Sequence, residues 1–218
     1  MVLALVLALF LPLVLTSVLI KHRRTRVLIL FLAWGSVAGL LSYYVDLWIV
    51  GLSGIEPQQA AVEVGPLVEE FFKALPLFYI FLSASVARKE KDNVLRGMFS
   101  GIGFSIVENY HYLTMASDFS PIPLATYMLT RSLSTTIMHG LSTGLIGLAV
   151  YYSSSKPHGE CGAPWMFMIV AFSCSVMFHS LFNLYVQLAL FGNLIAVLGA
   201  LLIYFLTYVL FELYHDRI

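Results

Sequence analysis

The residues best equipped for chemistry are ionisable groups set within apolar sequence. They are Glu69-Glu70-Phe71-Phe72-Lys73, then Glu108-Asn109, then Arg131 and His139, then His179 and Asn183. A charged side chain in hydrocarbon costs at least about 2.5–3.5 kcal/mol on insertion scales, so such groups are rare and face a partner or a water-filled cavity. Lys73 lies i,i+4 from Glu69 and i,i+3 from Glu70, so it can neutralise either carboxylate on one helix face. His179 and Asn183 are i,i+4, and Arg131 and His139, eight apart, also share a face. Carboxylates and imidazoles around one cavity suit hydrolysis: a carboxylate takes a proton from water, and an imidazole polarises a carbonyl or protonates a leaving amine. His179 with Asn183 makes a donor pair for a developing oxyanion. A second chemistry is open to the same residues. Glu108, His139 and His179 are the two-His, one-Glu set of a catalytic Zn2+, with Glu69 or Glu70 as the base. There is no His-Glu-x-x-His, and Glu108-x-x-His111 lacks the second such motif that a di-iron bundle requires. No Gly-x-Ser-x-Gly occurs, and neither Cys161 nor Cys174 shares a depth with a His, so serine and cysteine nucleophiles are not expected. Asn109 and His111 read mainly as structural, and Asp46 and Glu212 as interfacial anchors near span ends.

The elements that must position these groups follow from composition. The 218 residues are 60% hydrophobic and 11% charged, with mean hydropathy +0.88. Average soluble domains run at about 45–50% apolar and about 25% charged, so a water-soluble globule is excluded. Twelve basic residues balance twelve acidic ones, which excludes a nucleic-acid binder on electrostatic grounds. Apolar runs of about 20 residues predict an all-α membrane protein, a single domain over 1–218 with seven transmembrane helices. The expected spans are 1–20, 27–50, 66–87, 94–116, 124–152, 164–190 and 193–213. Breaker-rich connections such as Gly51-Leu52-Ser53-Gly54 and Pro121-Ile122-Pro123 separate them. The first run lacks a basic region before it and does not read as a cleavable signal. Under seven-span alternation ten of the twelve Lys and Arg fall on one side. The positive-inside rule makes that side cytoplasmic, with the N-terminus outside and the C-terminus inside.

Depth then gathers the polar groups. At about 1.5 Å per residue, Glu69 and Glu70 lie roughly 5–10 Å below the outer end of their span, Glu108 about 12 Å, His179 about 16 Å and His139 about 20 Å. Four spans thus bring three carboxylates and two imidazoles into one slab, which reads as one site. Gly101, Gly103, Gly140, Gly144 and Gly147 beside it predict close packing of the fourth and fifth spans.

The ordered motifs Glu69-Glu70-x-x-Lys73, Phe104-x-x-x-Glu108-Asn109, Arg131 with His139, and His179-x-x-x-Asn183 together resemble the PrsW family of intramembrane proteases. They also look like the related CAAX prenyl proteases, although Glu108 stands where that group has His. The resemblance covers about residues 65–190, the expected catalytic core. It implies a peptidase cutting a membrane-tethered substrate near the extracytoplasmic face; in PrsW-type systems that substrate is a transmembrane anti-sigma factor. Carried over by position, it implies that Glu69 and Glu70 hold or activate water. Glu108 and His139 would position the water or bind metal, His179 and Asn183 would stabilise the oxyanion, and Lys73 would tune the glutamates. Expected partners are therefore a transmembrane protein substrate and membrane lipid. The rival reading is a proton-coupled transporter or channel, because buried Glu, His and Arg also build proton relays. Transporters often show two related halves or matched broken helices, and neither is present.

Overall fold

The computed structural model describes residues 21–83, 91–116, 121–155, 164–187 and 199. Every regular element among them is an α-helix: α1 Arg23–Ser53, α2 Pro57–Glu63, α3 Gly65–Leu82, α4 Asn93–Met115, α5 Pro121–Ser155 and α6 Pro164–Gln187. Five of the seven expected spans correspond to α1, α3, α4, α5 and α6; those at 1–20 and 193–213 lie outside the described residues. Among the described residues three helices are long and apolar enough to cross a membrane: α1, α5 over Leu124–Ser153, and α6. α3 and α4 hold Glu69, Glu70, Lys73 and Glu108, so their composition is diluted by the charges that the other helices surround.

Local signals set the ends. Gly54 caps α1 in the left-handed region at φ 67°, donating its N–H to the Val50 carbonyl, a conformation that glycine adopts without a Cβ penalty. Pro57 opens α2 in its first turn, where a missing N–H costs nothing. The expected loop between the second and third spans thus contains a short helix. Arg24 at the start of α1 pairs with Asp92 just before α4 at 2.9 Å, so α1 and α4 begin at one end of the bundle. At the other end α6 is tied to α2: Asn183 donates to the Ala61 carbonyl at 2.8 Å and Gln187 to that of Gln58 at 2.9 Å.

Lipid tails are as apolar as leucine, so helices here associate through close packing and hydrogen bonds rather than water expulsion. The most extensive contacts join α4 to α5 and α1 to α4. Glycines make them close. A Cβ on Gly101 would lie 2.0 Å from the His139 carbonyl oxygen, and one on Gly147 2.1 Å from that of Asn93. Gly103 packs α4 onto α1 rather than α5, against the Leu32 carbonyl. Gly140 and Gly144 meet side chains of α4 instead of touching its backbone most closely. Hydroxyls bridge the helices too: Ser100 donates to the Lys73 carbonyl at 2.8 Å and Ser175 to that of Ser142 at 2.6 Å. An apolar cluster including Phe31, Leu77, Ile146, Val150 and Met168 fills the bundle between the polar groups and the Arg24–Asp92 end. Leu47, Trp48, Tyr79, Leu129, Ile169 and Met177 face outward, an exposed apolar surface suited to lipid.

Candidate active site

Four helices deliver the polar groups to one place. α3 supplies Glu69, Glu70 and Lys73, α4 supplies Glu108, α5 supplies Arg131 and His139, and α6 supplies His179. Glu70, Lys73, His139 and His179 are fully buried.

Glu70 is saturated. Its Oε1 accepts from Lys73 Nζ at 2.7 Å, Ser142 Oγ at 2.8 Å and His179 Nδ1 at 3.0 Å, and its Oε2 accepts from Thr143 Oγ1 at 3.3 Å. Lys73 therefore serves Glu70 rather than Glu69. Its ammonium also lies 2.7 Å from His139 Nδ1 and 4.6 Å from the Phe104 ring centroid. An ammonium can only donate, so Nδ1 accepts and the His139 proton resides on Nε2, which donates to Glu108 Oε2 at 2.8 Å. The other oxygen of Glu108 accepts from Arg131 Nη2 at 3.0 Å. That guanidinium also stacks 3.1 Å from the centroid of the Tyr112 ring. Two carboxylates thus each orient one histidine.

The third carboxylate differs. Glu69 Oε2 and His179 Nε2 are both buried without a hydrogen-bond partner among the described residues, and they face each other at 3.5 Å. With its proton on Nδ1 toward Glu70, a neutral His179 turns a lone pair on Nε2 toward a carboxylate oxygen. Two acceptors in that arrangement need a cation or a proton between them. Ligand atoms about 2.1 Å from a tetrahedral ion lie about 3.4 Å apart, which matches the observed spacing. Glu69, His139 and His179 each offer a ligand atom, all within 4.8 Å of one another. Both Glu108 oxygens are engaged by Arg131 and His139, and both His139 nitrogens by Lys73 and Glu108, so within this cluster Glu69 Oε2 and His179 Nε2 are the ligand atoms without a hydrogen-bond partner among the described residues. In such centres a histidine commonly donates its other N–H to a carboxylate, and Glu70 stands in that relation to His179.

Not every expected residue reaches this centre. Asn183 sits one turn beyond His179 and its amide donates to Ala61, fastening α6 to α2. Asn109 accepts from Thr135 Oγ1 at 3.0 Å across α4 and α5, and His111 packs edge-on against the Tyr43 ring. Asp46, near the end of its span, lines a cleft of about 250 Å³ together with Glu69 and Glu108. Ser142 and Thr143, which belong to none of the expected motifs, also reach this centre as donors to Glu70. Their signal was present: they lie three and four residues after His139, on its side of α5.

Comparison with curated proteins and with solved structures finds no match to this chain. The sequence pattern of the PrsW family intramembrane metalloproteases matches residues 23–211, which include every helix that forms the centre. The chain is a membrane protein and belongs to the PrsW family of intramembrane metalloproteases.

Proposed function

We propose that this protein is a metal-dependent endopeptidase of the cell membrane, a multi-pass protein whose centre is built on Glu69, His139 and His179. It hydrolyses one peptide bond of a membrane-tethered protein near the extracytoplasmic face, the first cut of a regulatory cascade, with an anti-sigma-factor-like substrate by family resemblance. The carrying observation is the unpartnered Glu69 Oε2 opposite His179 Nε2 at 3.5 Å, both buried. A carboxylate and two imidazoles suit Zn2+, which when bound would polarise the scissile carbonyl and generate a nucleophile near neutral pH. Glu70 holds His179 in one tautomer, and Glu108 does the same for His139 through Nε2. Lys73 and Arg131 each neutralise one of those orienting carboxylates. Glu69 is the carboxylate with an oxygen left to bind or to move a proton, and it borders the cleft through which a peptide reaches the centre.

One observation favours a metal-free variant of the same hydrolysis: both ring nitrogens of His139 are already paired, with Lys73 and Glu108. In that variant Glu69 acts as general base, taking the proton of a water held beside His179. The transporter reading has no comparable support.

The test is cleavage of single-span reporter substrates by the purified protein, alongside Glu69→Gln and with metal content measured. Cutting on the extracytoplasmic side that is lost in the variant, with about one metal ion per chain, is expected. Cutting that survives Glu69→Gln overturns the assignment, and cutting by a metal-free protein selects the glutamate route.

A further inference from the structure

The cleft beside Glu69 contains polar groups that the hydrolytic centre does not use. Ser42 is 1% exposed, yet its Oγ has no hydrogen-bond partner among the described residues. Asp46 Oδ1 is likewise buried and unpartnered. Both line the same cleft as Glu69, and Gly39 lines it one turn earlier on α1. Orphaned buried oxygens are uncommon in folded proteins, because each forfeits its hydrogen bond with water, and both a hydroxyl and a carboxylate oxygen can accept one. Two of them on one face of one helix, next to a peptidase centre, point to a donor that arrives with the substrate.

Geometry narrows what that donor is. Ser42 and Asp46 are four residues apart on α1, a rise of about 6.0 Å. In an extended chain, residues i and i+2 are about 6.6 Å apart and point their N–H groups the same way. A strand laid along α1 therefore presents alternate N–H groups at nearly the axial rise between residues 42 and 46. Peptide-bond hydrolysis requires the substrate segment to leave its helix, which frees N–H groups that have no water to bond in hydrocarbon. Acceptors fixed on α1 would meet that need.

We propose that Ser42 and Asp46 form a substrate rail, two acceptors that bind alternate backbone N–H groups of an unwound, extended substrate segment and hold it against the Glu69 centre. The proposal rests on the endopeptidase reading and adds how the peptide is gripped. Recognition by this rail is through the main chain, so it is indifferent to side-chain identity at the two contacted residues. Ser42 and Asp46 are positioning residues.

The test uses full-length protein carrying Glu69→Gln to prevent cleavage, and fluorescently labelled single-span peptides with one amide at a time replaced by an ester, which deletes a single N–H. Affinity is read by anisotropy, independently of catalysis. Two esters, two residues apart, should each weaken binding about tenfold, as expected for loss of one hydrogen bond in a buried setting. Adding Ser42→Ala should abolish the effect of one ester, and adding Asp46→Leu the effect of the other. Esters that weaken binding equally in all proteins, or that have no effect anywhere, overturn the rail. Since the ester scan alters only the peptide, a variant that fails to fold does not decide the outcome. If ester sensitivity shows the two-residue spacing while the protein without Glu69→Gln cuts no reporter, the rail stands and the peptidase reading falls.

Discussion

Replacing Gly101 by Ala adds one carbon where α4 crosses α5, and that carbon falls 2.0 Å from the carbonyl oxygen of His139. A backbone oxygen cannot rotate away. To reach even a tight 3.0 Å contact, the two helices must part by about 1 Å, and overpacking of this kind typically costs about 1–3 kcal/mol. The oxygen belongs to His139 itself, so the displacement carries its ring away from Lys73, Glu108 and the Glu69–His179 pair. A misplacement of about 1 Å can cost about 100-fold in rate. Gly140→Ala is the matched control: it lies on α5 next to His139, but its added carbon meets nothing nearer than 3.7 Å. Helix propensity favours Ala over Gly by about 0.8–1.0 kcal/mol, so propensity alone would stabilise both variants. The expected result is a drop of about 100-fold in reporter cleavage and a lower melting temperature in detergent for Gly101→Ala. Gly140→Ala should keep wild-type activity and melt at or slightly above it. Equal activity in the two variants would refute the claim that helix approach at Gly101 sets the position of His139.

The other predictions concern the polar centre. Glu70→Gln should weaken metal binding about 10–100-fold, the usual cost of losing an orienting partner. The same change leaves Lys73 with a neutral partner in a buried site, so a fall of about 3–5 kcal/mol in stability is also expected; competition with a metal-sensitive dye and a melting curve read the two effects separately. Chelation should abolish cleavage and added Zn2+ should restore it, whereas unaltered cleavage after chelation, verified by elemental analysis, would select the glutamate route. Asn183→Ala should cost about 1 kcal/mol of stability by removing one of the two hydrogen bonds that tie α6 to α2 and change kcat less than tenfold. A loss of about 100–1,000-fold in kcat would instead mark Asn183 as an oxyanion donor.

Much of this molecule follows from local sequence. Apolar runs mark the helices because hydrocarbon requires every backbone group to bond within its own segment, and Gly54 and the prolines at Pro57 and Pro121 mark their ends. The ionisable groups announced themselves because charge is costly in such surroundings. What the sequence alone could not decide is how neighbouring helices are rotated. Adjacent residues on a helix point about 100° apart, so Glu69 and Glu70 are equivalent on paper. Packing turns Glu70 toward Lys73, Ser142, Thr143 and His179 and leaves Glu69 Oε2 unpartnered beside the cleft. Asn183 shares a helix stripe with His179, yet α2 lies close enough to take its amide, and no periodicity in α6 encodes the place of a residue 122 positions earlier. Asp46 has the spacing of a span end, and only the approach of α3 and α4 to α1 makes it a wall of the cleft. The residue types were fixed along the chain; which carboxylate is free, which is saturated and which histidine nitrogen faces it were decided by contacts between helices far apart in sequence.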